Sequence, residues 1–277
     1  IRNVLNQISI NAIIAFGMTI VILVNGIDLS VGSMVAVAGV TLAVFFVDLG
    51  VGLWLSYGIV LVTGALVGSV NGILVTKVRL PAFIVTLGSL QIFRGLAFIV
   101  AGGQAKFTAD PAFKIVGNTF MFGFLPVSIL IMFVCFLIFH LLVSRTTIGR
   151  RFYLVGQNDD AAYLSGVNID AVRISAYTLV GAASAVSGIL LASRLGSGSP
   201  NVGVMYELDA IAAVVVGGTS FTGGVGTITG TLIGALILGV ISNGLNLLGI
   251  SPFAQQLVRG AIIIGAVIID TTSRGKR

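Results

Sequence analysis

Apolar residues in this chain come in continuous runs, and the polar residues collect in the gaps between them. Runs long enough to span a membrane lie near residues 8–24, 31–47, 54–76, 83–101, 125–143, 174–192, 228–248 and 253–269. A membrane-crossing helix needs about 20 such residues, whereas barrel strands read as shorter alternating segments. The pattern predicts an all-α fold, a polytopic membrane helix bundle.

Two interruptions stand out. The first run ends in Asn25-Gly26-Ile27-Asp28-Leu29-Ser30, and the second begins at once. With almost no loop around it, Asp28 must sit at a membrane face or in a polar cavity inside the bundle. A plainer alternative makes Asp28 or Ser30 the cap of the following helix. The second interruption, residues 194–207, carries Gly196, Gly198, Pro200 and Gly203 and cannot stay helical for long. The apolar stretch after it, 208–216, reaches roughly 14 Å as a helix, under half of a bilayer core, and reads as a half-helix. Residues 217–230 continue as glycine-rich irregular backbone, which survives at membrane depth only when buried in protein or lining an aqueous path. That loop lacks the lysine and the preceding strand of a phosphate-binding loop.

One polar interval is long enough to be a soluble element. Residues 144–173 set Arg145, Arg150, Arg151 and Arg173 around Asp159, Asp160 and Asp170, between two spans. Within it, Asn158 or Asp159 can cap a short helix over 159–164, flanked by Gly156 and Gly166. Such a helix is either a docking element for a soluble partner or a solvated connector.

Composition agrees with the pattern. Hydrophobic residues make up 57% and charged residues 9%, against about a quarter charged in soluble domains. The 37 glycines would weaken helices in water but permit close backbone approach between membrane helices, and Gly64, Gly68 and Gly72, or Gly230 and Gly234, have that spacing. Cys135 stands alone, so no internal disulfide forms and no metal site is suggested. His140, the one histidine, reads as a packing or interfacial residue. No nucleophile and base occur at helical spacing, so no catalytic residue, cofactor or metal is expected. The basic residues Lys77, Arg79, Arg145, Arg150, Arg151, Arg173, Arg274, Lys276 and Arg277 fall on one face when each span crosses once. Arg2, Lys106, Lys114 and Arg194 fall on the other, so the richer face is cytoplasmic.

The chain also resembles itself. Gly64, Gly68, Asn71-Gly72, Pro81 and Arg94-Gly95 have counterparts in Gly230, Gly234, Asn243-Gly244, Pro252 and Arg259-Gly260. The crossing pattern puts Pro81 and Pro252 on opposite sides, the mark of inverted repeats. The repeat pairs the first span with the span at 174–192, and the first interruption with the second. Arg94 and Arg259, equivalent in the repeat, are expected to pair with helix carbonyls or carboxylates, with substrate contact as the alternative.

The runs Asn25-Gly-Ile-Asp-Leu-Ser-Val-Gly-Ser33, Gly156-Gln-Asn-Asp-Asp-Ala-Ala-Tyr-Leu-Ser-Gly166 and Tyr206-Glu-Leu-Asp-Ala-Ile-Ala-Ala-Val-Val-Val-Gly-Gly-Thr-Ser220 resemble the ribose-type monosaccharide permeases of ABC importers. The likeness runs through essentially the whole chain, read here as a single transmembrane domain, 1–277, with the 144–173 loop inside it. It implies a homodimer of permease subunits in the inner membrane of a prokaryote, a cytoplasmic ABC ATPase, an extracytoplasmic sugar-binding protein, and no nucleic-acid partner. The ATPase would hold the loop through Gly156, Asn158, Asp159, Asp160, Ala161, Ala162, Ser165 and Gly166. Members of that family carry a further membrane helix ahead of the position where this sequence begins. Asn25, Asp28, Ser30, Asn71, Asn243 and Asn246 are candidates for lining the sugar path, with helix-to-helix hydrogen bonding as the alternative for each. Glu207 and Asp209, placed at the outer side, would meet the binding protein or cap the half-helix. The competing class is a self-contained secondary carrier or channel, which has no need of the 144–173 loop.

Overall fold

The computed structural model describes residues 2–121 and 123–274, and its helices begin and end close to the limits of the apolar runs. They are α1 (Arg2–Leu23), α2 (Val31–Ala43, prolonged by a π-helical turn at Val44–Asp48), α3 (Leu53–Thr76), α4 (Ala82–Ala101), the single turn α5 (Ile115–Asn118), α6 (Val127–Arg145), α7 (Thr147–Gln157), α8 (Asp159–Leu164), α9 (Ile169–Leu195), α10 (Tyr206–Val216), α11 (Ile228–Leu247) and α12 (Pro252–Arg274). Four two-residue strands form two small ribbons: β1 (Lys106–Phe107) pairs with β4 (Ser197–Gly198), and β2 (Phe120–Met121) with β3 (Leu125–Pro126). Seven described helices are long and apolar enough to cross a membrane, and α12 contributes a shorter apolar stretch.

The bundle is built around α1 and α9. In α1, 78% of the apolar window is buried, against 28% in α3 and α4 and 22% in α6 and α11. The outer helices therefore offer their Leu, Ile and Val side chains to lipid, while Phe16, Ile13 and Tyr177 form the interior. The two central helices run antiparallel. Arg194 near the end of α9 reaches Asn6 at the start of α1, the Ser187 hydroxyl donates to the Ile10 carbonyl, and Tyr177 reaches Ile27.

Antiparallel α1 and α9 are what inverted repeats require, and the remaining contacts follow suit. Helix α3 packs on α9 while its counterpart α11 packs on α1; α2 packs on α4 while α10 packs on α12. Each half thus lends its third helix to the first helix of the other. Glycine makes the α3–α9 contact possible: a Cβ on Gly68 would overlap the carbonyl oxygen of Tyr177, and one on Gly181 the carbonyl of Gly64. The repeat is imperfect, however. Gly230 and Gly234, aligned with Gly64 and Gly68, pack against α10 at Gly217 and Ala213 instead.

Ion pairs mark the two ends of the bundle. Lys77 at the end of α3 meets Asp170 of the mid-chain interval at 2.6 Å, so these two groups of the predicted basic face lie together. Lys106 and Asp48 join at 2.6 Å at the opposite end. Lys276 and Arg277 lie outside the described residues.

Candidate functional site

Both interruptions are built as broken elements, and a third element joins them. At the first, residues 24–30 leave α1 with Asn25 in the left-handed region at φ 62°. Asp28 is fully buried. Its Oδ1 accepts from the Ser30 N–H at 2.8 Å and the Ser30 hydroxyl at 2.6 Å. Ser30 Oγ accepts in turn from Asn71 Nδ2 of α3 at 3.0 Å, and Asn71 Oδ1 accepts from the Ser89 hydroxyl of α4 at 2.6 Å. Tyr177 of α9 ties the same turn down by donating to the Ile27 carbonyl at 3.1 Å. Three path candidates, Asp28, Ser30 and Asn71, are therefore links of one buried relay. The expectation that Asp28 or Ser30 caps α2 is corrected: Ser30 occupies the N-cap position without a side-chain cap bond, because its backbone is already helical (φ −84°, ψ −9°) and its oxygen accepts from Asn71 instead.

At the second interruption, α9 ends at Gly196 in the left-handed conformation, Ser197–Gly198 form the short strand β4, and residues 200–205 turn back into the bundle through consecutive turns. Gly198 packs on Gly39 and Ala43 of α2, and Gly203 on Gly32 about two turns before, so the segment runs down alongside α2. The crossing at Gly32 and Gly203 leaves no space for a Cβ on either residue. Arg94 of α4 holds the segment by donating to the carbonyls of Val202, at 2.7 Å, and Pro200.

This descent corrects the placement of Glu207 and Asp209 at the outer side. The Glu207 carboxylate lies against Gly32. Asp209 receives Nδ2 of Asn11, halfway along α1, at 3.3 Å, and Nη1 of Arg259 on α12 at 3.1 Å. Arg94 and Arg259 both find the carbonyl or carboxylate partners expected of guanidinium groups at membrane depth. Asn243 is half-buried and Asn246 exposed on α11, away from the Asp28 relay. A cavity of about 190 Å³ lies between α1, α10, α11 and α12, lined by Asn11, Asp209, Ser242, Asn246 and Arg259.

The joining element is the mid-chain interval. Helix α7 starts at Thr146, whose hydroxyl accepts from the Gly149 N–H at 3.1 Å, and buries Gly149, Phe152, Val155 and Gly156 along one face. Gly156 is pressed against the Leu23 carbonyl at the end of α1, and its own carbonyl accepts from Asn25 Nδ2 at 3.4 Å. Tyr153 donates to the Gly226 carbonyl at 2.8 Å, and Gln157 to the Gly224 carbonyl at 3.4 Å. Burial pushes the Tyr153 phenol above the ordinary tyrosine pKa. The Gly224 N–H meanwhile bonds the Leu23 carbonyl at 2.9 Å. Helix α7 thus holds the end of α1 and the loop after α10 together, one broken element from each half.

Helix α8 follows, capped by Asn158, whose Oδ1 accepts from the Ala161 N–H at 3.0 Å. Asp159 is drawn inward to Arg173 at 2.8 Å, and Ala162 is buried. Asp160, Ala161, Ser165 and Gly166 are exposed. So are Tyr163 and Leu164, at 73% and 84%. Reading the sequence for charge and capping passed over these two, though a pair of large apolar residues within a polar loop was the available signal. Asn11, Ser89 and Tyr177 were also missed, because each sits in an ordinary apolar helix and acquires meaning only from a distant partner.

Residues 1–267 match the family model described as branched-chain amino acid transport system / permease component. The ribose import permease protein of Bacillus subtilis (strain 168) is 44% identical over 98% of this chain and 84% of its own length. That of Haemophilus influenzae is 43% identical over 98% of this chain and 84% of its own. The L-arabinose transport system permease protein of Escherichia coli (strain K12) is 44% identical over 95% and 80%. No solved structure matches.

Proposed function

Since the chain belongs to the branched-chain amino acid transport system / permease component family, we propose that it is the membrane-spanning permease subunit of an ATP-driven monosaccharide importer. The relatives named for ribose and L-arabinose support a pentose or similar sugar as the cargo. ATP hydrolysis belongs to a cytoplasmic partner, and an extracytoplasmic binding protein delivers the sugar. A second copy of the chain packs on the apolar surface that α11 and α12 leave exposed at Leu247, Leu248, Phe253 and Leu257.

The observation that carries this reading is the grip of α7 on both broken elements. A partner that moves α8 moves α7 with it, and α7 bonds to Asn25 in one half and to the 224–226 backbone in the other. One displacement at the cytoplasmic face therefore reaches both halves at once, which is what alternating access between inward and outward openings needs. Tyr163 and Leu164 are the anchors for the ATPase, with Asp160, Ala161, Ser165 and Gly166 around them; Gly156, Asn158, Asp159 and Ala162 brace the element from behind. Glu207 and Asp209 belong to the interior of the path.

Replacing both anchors, Tyr163→Ala with Leu164→Ala, is expected to abolish co-purification of the ATPase from membranes while the subunit still inserts. Interface anchors of this kind commonly cost about 2 kcal/mol or more each. Retention of the ATPase together with undiminished sugar uptake would refute the assignment.

A further inference from the structure

Resting on that reading, we propose that the cavity between α1, α10, α11 and α12 is a monosaccharide station inside the bundle, where sugar released from outside pauses before it crosses. Its volume of about 190 Å³ leaves room for one sugar ring.

Its walls carry the groups a polyhydroxylated ring needs. Asn11 commits Nδ2 to Asp209, which turns Oδ1 away from the carboxylate; that oxygen is buried and has no hydrogen-bond partner. That acceptor is closed off from the cavity as the side chain stands, so a sugar hydroxyl reaches it only when Asn11 turns. Asn246 is oriented oppositely: its Oδ1 already accepts from Gln255 at 2.8 Å, so Nδ2 is left to donate. Ser242 supplies a hydroxyl that can do either. Arg259 and Asp209 compensate each other at 3.1 Å, so the cavity presents paired charges without an excess of either sign. That balance disfavours an ion as the occupant and suits a neutral polyol. Ala212, Ala213 and Ala235 give the apolar, low-relief wall on which the C–H face of a sugar can lie.

The other half of the repeat shows that the cavity is not a by-product of the fold. Arg94, the counterpart of Arg259, spends its guanidinium on the carbonyls of Pro200 and Val202, and its neighbourhood is filled by the returning chain of 196–205. The second half leaves Arg259 beside an open, polar-walled space instead.

The test uses the complete importer, with ATPase and binding protein, in proteoliposomes. Ser242→Leu fills the cavity without touching the ion pair. It is expected to lower sugar uptake about ten-fold or more, equivalent to about 1.4 kcal/mol or more, while the ATPase still co-purifies. Independently, Ser242→Cys in a Cys135→Ser background is expected to react with a maleimide, and millimolar ribose or arabinose to slow that reaction where glutamate does not. Uptake by Ser242→Leu at the wild-type rate, or labelling of Ser242→Cys indifferent to sugar, overturns the station while wild-type uptake upholds the importer. Wild-type proteoliposomes that import no sugar overturn the importer reading and the station with it.

Discussion

Asp28 is a carboxyl group without solvent contact, held through one oxygen while the other, Oδ2, is buried without a hydrogen-bond partner. Two donors from Ser30 converge on Oδ1, and the order of the relay is set by the amide of Asn71, which donates to Ser30 and accepts from Ser89. Removing the middle link strands a group on each side. Asn71→Ala is therefore expected to destabilise the protein by about 1–3 kcal/mol, seen as a lower thermal midpoint in detergent. Adding Ser89→Ala should cost less than the sum of the two single changes, because the orphaned hydroxyl is then gone. The sequence singles out Asp28, Ser30 and Asn71 one at a time, since polar residues are rare in apolar runs. Their connection was not legible. It depends on α3 and α4 bringing Asn71 and Ser89 beside residue 30, and nothing local to any of the three encodes that approach.

Helices were the most legible level, because in a bilayer every backbone polar group must be paired within the segment and the apolar run sets the span. Depth was less so. The half-helix α10 was read correctly from its length, yet its start lies level with Asn11 because residues 196–205 return into the bundle, and no residue type announces the distance covered. Glycine spacing told where backbones could approach but not which helix would arrive, as the different partners of Gly68 and Gly234 show. This yields a contrast within one helix. Gly68→Leu is expected to prevent stable folding by forcing α3 from α9, whereas Gly58→Ala, which meets nothing, should be neutral or stabilising by a few tenths to about 1 kcal/mol. Yield of monodisperse protein and its thermal midpoint separate the two.

Across the whole molecule, the antiparallel α1 and α9 and the crossed packing of α3 and α11 fit two halves inserted in opposite senses. Orientation follows from the basic residues at the Lys77 and Asp170 end. In a Cys135→Ser background, Ser165→Cys is expected to be labelled by an impermeant thiol reagent only after the cytoplasmic face is opened, and Asp110→Cys from outside intact cells; the reverse pattern would invert the topology. The crossed packing also sets a timetable for biogenesis. Helix α3 leaves the ribosome well before α9 exists, so its glycine face must wait in the lipid, or in the care of an insertase, until the second half is made. Translation of the first half alone is therefore expected to give a product that inserts but is degraded, and co-expression of the second half as a separate polypeptide should rescue it.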